Sequence, residues 1–111
     1  MDWNEKYEEI SVSELKALID CGKNLIVLDV REPFEINIAK MDDTVNIPMR
    51  EVEQRIRELN PKEEIIVLCK SGARSAKICN LLIDHNFENV KNLRGGILAW
   101  SKEIDSSIPT Y

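Results

Sequence analysis

A thiol followed by a short, cationic loop is the strongest chemical signal in the chain. Cys69 is followed by two cations, Lys70 and Arg74. Between them, Ser71 and Gly72 allow the backbone to turn sharply, so that successive N–H groups can point inward and form a nest for an anion. Cysteines at helix N-termini or beside Lys and Arg ionise more readily than free cysteine. The segment therefore predicts that Cys69 is an anionic nucleophile near neutral pH.

The two cations of this segment differ in the roles predicted for them. We expect the Arg74 guanidinium to form paired hydrogen bonds with an oxyanion docked over the sulfur. A cation at a helix N-terminus opposes the helix dipole by about 0.3–1 kcal/mol, which favours a nearby anion as the reason for its presence. Lys70 has two open roles, namely substrate contact or a solvent-facing side chain. A thiolate needs no general base, which suits a chain whose only histidine, His85, lies well beyond the loop.

The three cysteines of the chain have different predicted roles. A buried strand-end thiol is the plain alternative for Cys69, but few such cysteines precede a glycine-containing loop with two cations. Cys79 falls on the apolar stripe of the following helix and is predicted to pack in the core, whereas Cys21 is a bystander beside Gly22. The cysteines are odd in number and show no metal-ligand spacing, so we predict reduced thiols in a cytoplasmic protein with no metal or cofactor.

Alternating strand and helix signals indicate how these residues are positioned. Buried strands are predicted at 25–30, 65–69 and 90–93, and helices from Ser11 to Gly22, from Pro48 to Leu59, after Arg74 and after Gly96. Such alternation is typical of an α/β fold with a parallel sheet covered by helices on both faces. In these sheets ligands bind beyond the carboxyl ends of the strands, where Cys69 is predicted to lie.

Length and charge limit the classes of function. The 111 residues are predicted to form a single domain over 1–111. The net charge is −5, with both signs scattered along the chain, which argues against nucleic acid as a partner because its phosphates require a basic face. Met1 to Lys6 lack a basic start and an apolar run, so neither export nor membrane insertion is expected.

The chain resembles a single-domain rhodanese, a thiosulfate sulfurtransferase-like module, over nearly its whole length. The likeness lies in four segments that occur in the family's order. These segments are Leu28-Asp29-Val30-Arg31-Glu32-Pro33-Phe34-Glu35, Asn46-Ile47-Pro48, Cys69-Lys70-Ser71-Gly72-Ala73-Arg74-Ser75-Ala76 and Asn92-Leu93-Arg94-Gly95-Gly96-Ile97-Leu98-Ala99-Trp100.

The resemblance implies a five-stranded parallel sheet flanked by helices and a Cys69 persulfide as the sulfur carrier. Sulfur would come from a small anionic donor such as thiosulfate, with release of sulfite, or from a persulfide. It would pass to a thiol, to cyanide or to a protein. Asp29 and Arg31 match the family's polar pair at the neighbouring strand end, and we expect them to support the site as an ion pair or loop brace. The amides that would stabilise the persulfide belong to Lys70, Ser71, Gly72, Ala73, Arg74 and Ser75.

One segment departs from the family pattern, and two rival functions stay open. Where the family usually has Gly-His-Ile-Pro-Gly-Ala, this chain has residues 39–44, Ala-Lys-Met-Asp-Asp-Thr, which puts the local turn in doubt.

A phosphatase or arsenate reductase on the same fold would use a loop one residue longer between the cysteine and the arginine. A non-catalytic protein-binding module would be expected to have lost the nucleophile or the loop cations, and this chain keeps Cys69, Lys70 and Arg74.

Overall fold

A five-stranded sheet with all strands parallel forms the centre of the computed structural model, which describes residues 7–111. The segment 1–6, on which the export prediction rested, lies outside the described residues. The spatial order is β1-β5-β4-β2-β3, so β4 occupies the middle. This sheet confirms the predicted α/β fold. Its strands are β1 (Glu8–Ile10), β2 (Ile26–Asp29), β3 (Val45–Asn46), β4 (Glu64–Leu68) and β5 (Asn89–Leu93).

Four α-helices accompany the sheet in the part of the chain that the structure describes. They are α1 (Val12–Asp20), α2 (Pro33–Ile38), α3 (Ala73–Asp84) and α4 (Gly96–Glu103). The capping box predicted at the start of α1 is confirmed, because Glu14 N donates to Ser11 Oγ at 3.1 Å and Ser11 N donates to the Glu14 carboxylate at 3.0 Å. Within residues 7–111, no helix has the length and apolar character needed to cross a bilayer.

The helix predicted from Pro48 to Leu59 is wrong in type. Two short 3₁₀ helices, Met49–Glu51 and Ile56–Glu58, occupy this segment. Between them the backbone of Arg55 leaves helical values (φ −105°, ψ 16°), which interrupts the helical hydrogen-bond ladder. Val52 and Leu59 are nevertheless buried, so the apolar spacing identified the core-facing residues but not the helix geometry.

Two apolar clusters cover the two faces of the sheet because successive strand residues point to opposite sides. In β4, Ile65 and Val67 belong to one cluster together with the helix residue Cys79. Ile66 and Leu68 belong to the other cluster. The predicted core position of Cys79 is confirmed, and its burial raises the pKa of that thiol above its usual value.

The atypical segment at residues 39–44 makes its turn without glycine. Asp43 adopts φ +59°, a left-handed conformation that aspartate accepts more readily than most residues. Ala39 and Met41 are buried in the same cluster as Ile66 and so anchor the segment to the core. The chain then enters β3 at Val45.

Candidate active site

Cys69 lies directly after β4, at the carboxyl end of the middle strand. Its neighbour in the sheet is the end of β2, because Asp29 pairs in register with Leu68. The residue is only 1% exposed, as the plain buried-thiol alternative requires. Its hydrogen bonds therefore decide whether the surroundings of the sulfur are apolar or polar.

The sulfur has two polar neighbours within the following loop. Gly72 N donates to Cys69 Sγ at 3.0 Å, and Ser75 Oγ lies 3.2 Å from the same sulfur. Gly72 adopts φ +113°, a conformation that a residue with a side chain rarely takes, and this turn directs its N–H back toward the sulfur. The loop thus presents the Gly72 N–H to Cys69 immediately before α3 begins, and the first turn of α3 places the Ser75 hydroxyl beside the same sulfur.

Asn92 in β5 is hydrogen-bonded to both residues that contact the sulfur. Its side-chain amide donates from Nδ2 to Gly72 O at 3.1 Å, and its Oδ1 accepts a short hydrogen bond from Ser75 Oγ. Asn92 is 3% exposed and Ser75 is fully buried. Both residues that contact the sulfur are therefore fixed by one side chain from the neighbouring strand.

The start of α4 holds the loop from the other side. Ile97 N donates to Cys69 O at 2.9 Å, and Leu98 N donates to Lys70 O at 3.2 Å. This contact requires Gly96, because a Cβ atom there would lie 2.4 Å from both carbonyl oxygens. The start of α4 thus satisfies the carbonyl oxygens of Cys69 and Lys70 and fixes the backbone on both sides of the Cys69–Lys70 peptide bond.

Arg74 makes its paired hydrogen bonds with a protein carboxylate. Its Nη1 and Nη2 atoms donate to the two oxygens of Glu35 at 2.6 and 2.8 Å. Glu35, in α2, is nearly buried, whereas the Arg74 side chain is one-third exposed (33%). The anion expected beside Arg74 is therefore present in the structure, but it belongs to the chain itself.

All the acceptor positions of the Glu35 carboxylate are in use. Besides Arg74, Glu32 N donates to Oε1 at 3.1 Å and Tyr111 Oη donates to Oε2 at 2.7 Å. The hydrogen bonds from Arg74 lower the pKa of Glu35 to about 2, and the pKa of the Arg74 guanidinium is raised by the same pair. Glu35 is therefore a firmly ionised group at neutral pH.

Asp29 and Arg31 form a fully buried ion pair. Arg31 Nη2 donates to Asp29 Oδ2 at 2.7 Å, and Arg31 Nε donates to Asp29 Oδ1 at 3.0 Å. Arg31 Nη1 also donates to Tyr111 Oη at 3.0 Å. Tyr111 thereby joins this pair to Glu35 and Arg74 in one continuous network.

Lys70 is held by an aromatic ring. Its Nζ lies 4.6 Å from the centroid of the Tyr111 ring, within the range of a cation–π interaction. Neither of the two roles left open for Lys70 included this contact. The ring holds the Lys70 cation one residue along the chain from Cys69.

The fold has counterparts among known proteins. Residues 11–103 match the family described as the rhodanese-like domain. The chain belongs to the rhodanese family.

The rhodanese relatives cover this chain to different extents. A protein from Allochromatium vinosum named "Sulfurtransferase" is 32% identical over 94 residues, which are 85% of this chain and 88% of the relative. A chloroplastic rhodanese-like/PpiC domain-containing protein of Arabidopsis thaliana is 42% identical over 89 residues, which are 77% of this chain but 30% of that protein. The crystal structure of a rhodanese-related protein from Thermoplasma volcanium has a TM-score of 0.81 at 33% identity and covers 88% of this chain and 94% of that one. Relatives named sulfurtransferases support a rhodanese-type enzyme.

Three residues of the rhodanese site received no role from the sequence. Glu35 and Asn92 stood within the family segments, but no local pattern indicated that they bond to the Cys69 loop. No sequence pattern indicated a role for Tyr111, since its partner Glu35 is 76 residues away in sequence. Over residues 7–111, no group of three or more His, Cys, Asp or Glu side chains is arranged to hold a metal ion.

Proposed function

We propose that this rhodanese transfers a sulfane sulfur through a persulfide on Cys69. The donor is thiosulfate or a persulfide, and the acceptor is a thiol, cyanide or a protein. The observation that carries the proposal is the hydrogen bond from Gly72 N to Cys69 Sγ at 3.0 Å, at the carboxyl end of the middle strand. A backbone donor aimed at the sulfur favours an anionic sulfur over a plain core thiol.

The reaction consists of two displacements at sulfur. The Cys69 thiolate attacks the outer sulfur of thiosulfate, a new S–S bond forms, and sulfite leaves with the electron pair of the broken S–S bond. An acceptor thiolate or cyanide then attacks the outer sulfur of the persulfide, and Cys69 leaves as a thiolate. We assign Gly72 and Ser75 to stabilising the negative sulfur, with the remaining loop amides from Lys70 to Arg74 around it.

We assign the rim residues to placing the donor and supporting the loop. Lys70 offers a cation one residue from Cys69, and its contact with Tyr111 limits the positions that its side chain adopts. Arg74 is one-third exposed, so a donor oxyanion would share its guanidinium with the Glu35 carboxylate. The buried Asp29–Arg31 pair supports the site from the end of the neighbouring strand.

Loop length supports sulfur transfer over phosphoryl or arsenate chemistry. Phosphatase and arsenate reductase relatives place one more residue between the cysteine and the arginine, which allows the loop to surround a tetrahedral oxyanion. Here the shorter loop closes on itself through Gly72 N and Cys69 Sγ, which suits one added sulfur atom. We expect negligible hydrolysis of an aryl phosphate, and turnover comparable to that with thiosulfate would contradict the proposal.

The direct test is the transfer of one sulfur atom to Cys69. The protein is incubated with thiosulfate, and intact-mass spectrometry is expected to show an adduct of one sulfur atom that cyanide or a thiol removes. Cys69→Ser is expected to give no adduct, whereas Cys21→Ser, which changes an exposed thiol, is expected to keep it. An adduct that survives Cys69→Ser would refute the persulfide, and no adduct in the unmodified chain would favour a protein-binding module.

The class of sulfur acceptor is identified from turnover rates, because the sulfur adduct on Cys69 is the same for every acceptor. Turnover with cyanide is compared with turnover with a cellular thiol at equal concentration, and the faster acceptor indicates the physiological class.

The reaction needs Cys69 as a reduced thiol, and we therefore propose the cytoplasm as its compartment.

A further inference from the structure

The Ser75 hydroxyl lies between the candidate nucleophile and a buried amide. Its oxygen is 3.2 Å from Cys69 Sγ on one side and hydrogen-bonded to Asn92 Oδ1 on the other. A hydroxyl carries one hydrogen, so it can donate to only one of these neighbours at a time. The direction of that single hydrogen decides how Ser75 acts on the sulfur.

The orientation of the Asn92 amide determines this direction. Asn92 Nδ2 lies 3.1 Å from Gly72 O, which can only accept, so the NH₂ group must face this carbonyl. The amide oxygen then faces Ser75 and can only accept. Ser75 therefore donates to Asn92, and its oxygen is available to Cys69 as an acceptor of the S–H hydrogen.

We propose that Asn92 is a positioning residue that competes with the Cys69 sulfur for the Ser75 hydrogen. While Cys69 carries its proton, the S–H donates to Ser75 and the Ser75 hydroxyl donates to Asn92. When the thiol loses its proton to water, the Ser75 hydroxyl hydrogen rotates from Asn92 Oδ1 to the sulfur anion. No bond between heavy atoms forms or breaks in this step.

The consequence is that the reactivity of the sulfur depends on Asn92, which acts on it through the Ser75 hydroxyl. Asn92 keeps the hydrogen away from the thiol and releases it when a negative charge develops on Cys69 or on the outer sulfur of its persulfide. Removing the amide oxygen frees the Ser75 hydrogen for the sulfur at all times. This inference rests on the proposed function in that Cys69 is taken as the reacting group.

The test is a double-mutant cycle read by alkylation of Cys69. The background is Cys21→Ser, which removes the exposed thiol from the reagent, and the Cys69 adduct with iodoacetamide is followed by peptide mass at one neutral pH. Asn92→Leu is expected to raise the alkylation rate about three- to tenfold, since the competing acceptor is gone. Ser75→Ala is expected to lower the rate. In the Ser75→Ala background, Asn92→Leu is expected to have no further effect.

A second substitution at position 92 distinguishes the proposed role of Asn92 from a defect in folding. Asn92→Asp keeps an acceptor facing Ser75, adds negative charge near the sulfur and is expected to slow alkylation. Gly72 O also accepts a hydrogen bond from Ala76 N at 3.2 Å, so we expect this carbonyl to keep a donor in either variant. Native folding is checked by cooperative thermal unfolding. Opposite effects of two substitutions of similar size are not expected from a merely structural role.

The outcomes separate this inference from the proposed function. Equal effects of Asn92→Leu with and without the Ser75 hydroxyl would overturn the competition, as would a change of the same sign for Asn92→Leu and Asn92→Asp. Alkylation requires no sulfur donor. A cycle that behaves as expected while thiosulfate gives no adduct would therefore contradict the proposed sulfur transfer and leave the role of Asn92 standing.

Discussion

The two ends of the Cys69 loop are held by different kinds of interaction. The sulfur end contacts neutral groups, namely the Gly72 N–H and the Ser75 hydroxyl. The Arg74 end is held by a charged network that begins with the paired hydrogen bonds to Glu35 and continues through Tyr111. The cation that the sequence predicted for the substrate is thus partly neutralised by the chain itself.

This contrast separates the groups that we propose act on the Cys69 sulfur from the groups that hold the fold around it. Neutral donors that are fixed in place can support a developing anion without bringing a counter-ion out of water. The buried charges of the network require complete pairing, and no buried side-chain N or O atom in residues 7–111 lacks a hydrogen-bond partner. We therefore expect changes at the sulfur end to affect reactivity and changes in the network to affect stability.

The largest effect is expected from Gly96→Ala, which disrupts the close contact between α4 and the backbone of Cys69 and Lys70. The new Cβ would collide with the carbonyl oxygens of Cys69 and Lys70, at a cost of about 2–4 kcal/mol in the free energy of unfolding. Displacement of the loop is expected to lower the rate of persulfide formation about 100-fold. Urea unfolding and the initial rate with thiosulfate measure the two effects.

Gly22→Ala is the matched control for this change. Gly22 also has a positive φ (+76°), but nothing lies within 4 Å of a Cβ placed there. It is expected to cost about 1 kcal/mol of stability through backbone strain and to leave sulfur transfer unchanged. If the two variants lose transfer to the same degree, close approach of α4 does not hold the loop.

Glu35→Gln tests the charged network and is expected to affect mainly stability. The change leaves Arg74 without its anionic partner at a nearly buried position, and we expect a loss of about 2 kcal/mol after allowing for the one-third exposure of Arg74. Alkylation of Cys69 is expected to change less than about threefold. Glu58→Gln, which breaks the exposed pair with Arg55, is the control and should have a much smaller effect on unfolding. A large fall in the rate of Cys69 alkylation with unchanged stability would show that Glu35 controls the reactivity of Cys69 rather than the stability of the fold.

Acid should weaken the network within a defined pH window. The pKa of Glu35 is lowered to about 2 in the folded chain from an ordinary value of 4.5, chiefly by Arg74. A carboxyl with a lowered pKa contributes stability that is complete above about pH 4.5 and is lost as the pH falls toward about 2. The stability difference between the unmodified chain and Glu35→Gln is therefore expected to shrink across that window. A difference that stays constant from pH 6 to about pH 3 would contradict this role of the carboxylate.

The smallest effect is expected from Tyr111→Phe, which removes one link of the network but keeps the ring beside Lys70. Loss of the hydroxyl breaks the bonds from Arg31 and to Glu35, and we expect about 1 kcal/mol of destabilisation. The KM for thiosulfate is expected to stay nearly constant, whereas Tyr111→Leu, which also removes the cation–π contact, should raise it. Equal KM values for the two variants would show that the ring does not place Lys70.

The sequence predicted an element of the fold wherever the residues that specify it are close together in the chain. The capping box at Ser11, the buried strand before Cys69 and the glycine turn at Gly72 each appear as predicted, since the residues that specify them are adjacent. The strands β1 and β3 and the helix α2 were missed because they are too short for a periodic pattern to develop. The segment after Pro48 carried the correct apolar spacing, but such spacing does not distinguish an α-helix from two 3₁₀ turns.

Local sequence patterns were sufficient to place a thiol at a strand end, before a glycine-containing loop and a helix. The long-range partners of that loop followed only from the tertiary fold, because they come from distant parts of the chain. Asn92 is 17 residues from Ser75, and Glu35 is 39 residues from Arg74. Local sequence controls backbone conformation through sterics and hydrogen bonds between neighbours, whereas the pairing of buried charges and amides depends on which strands the sheet brings side by side.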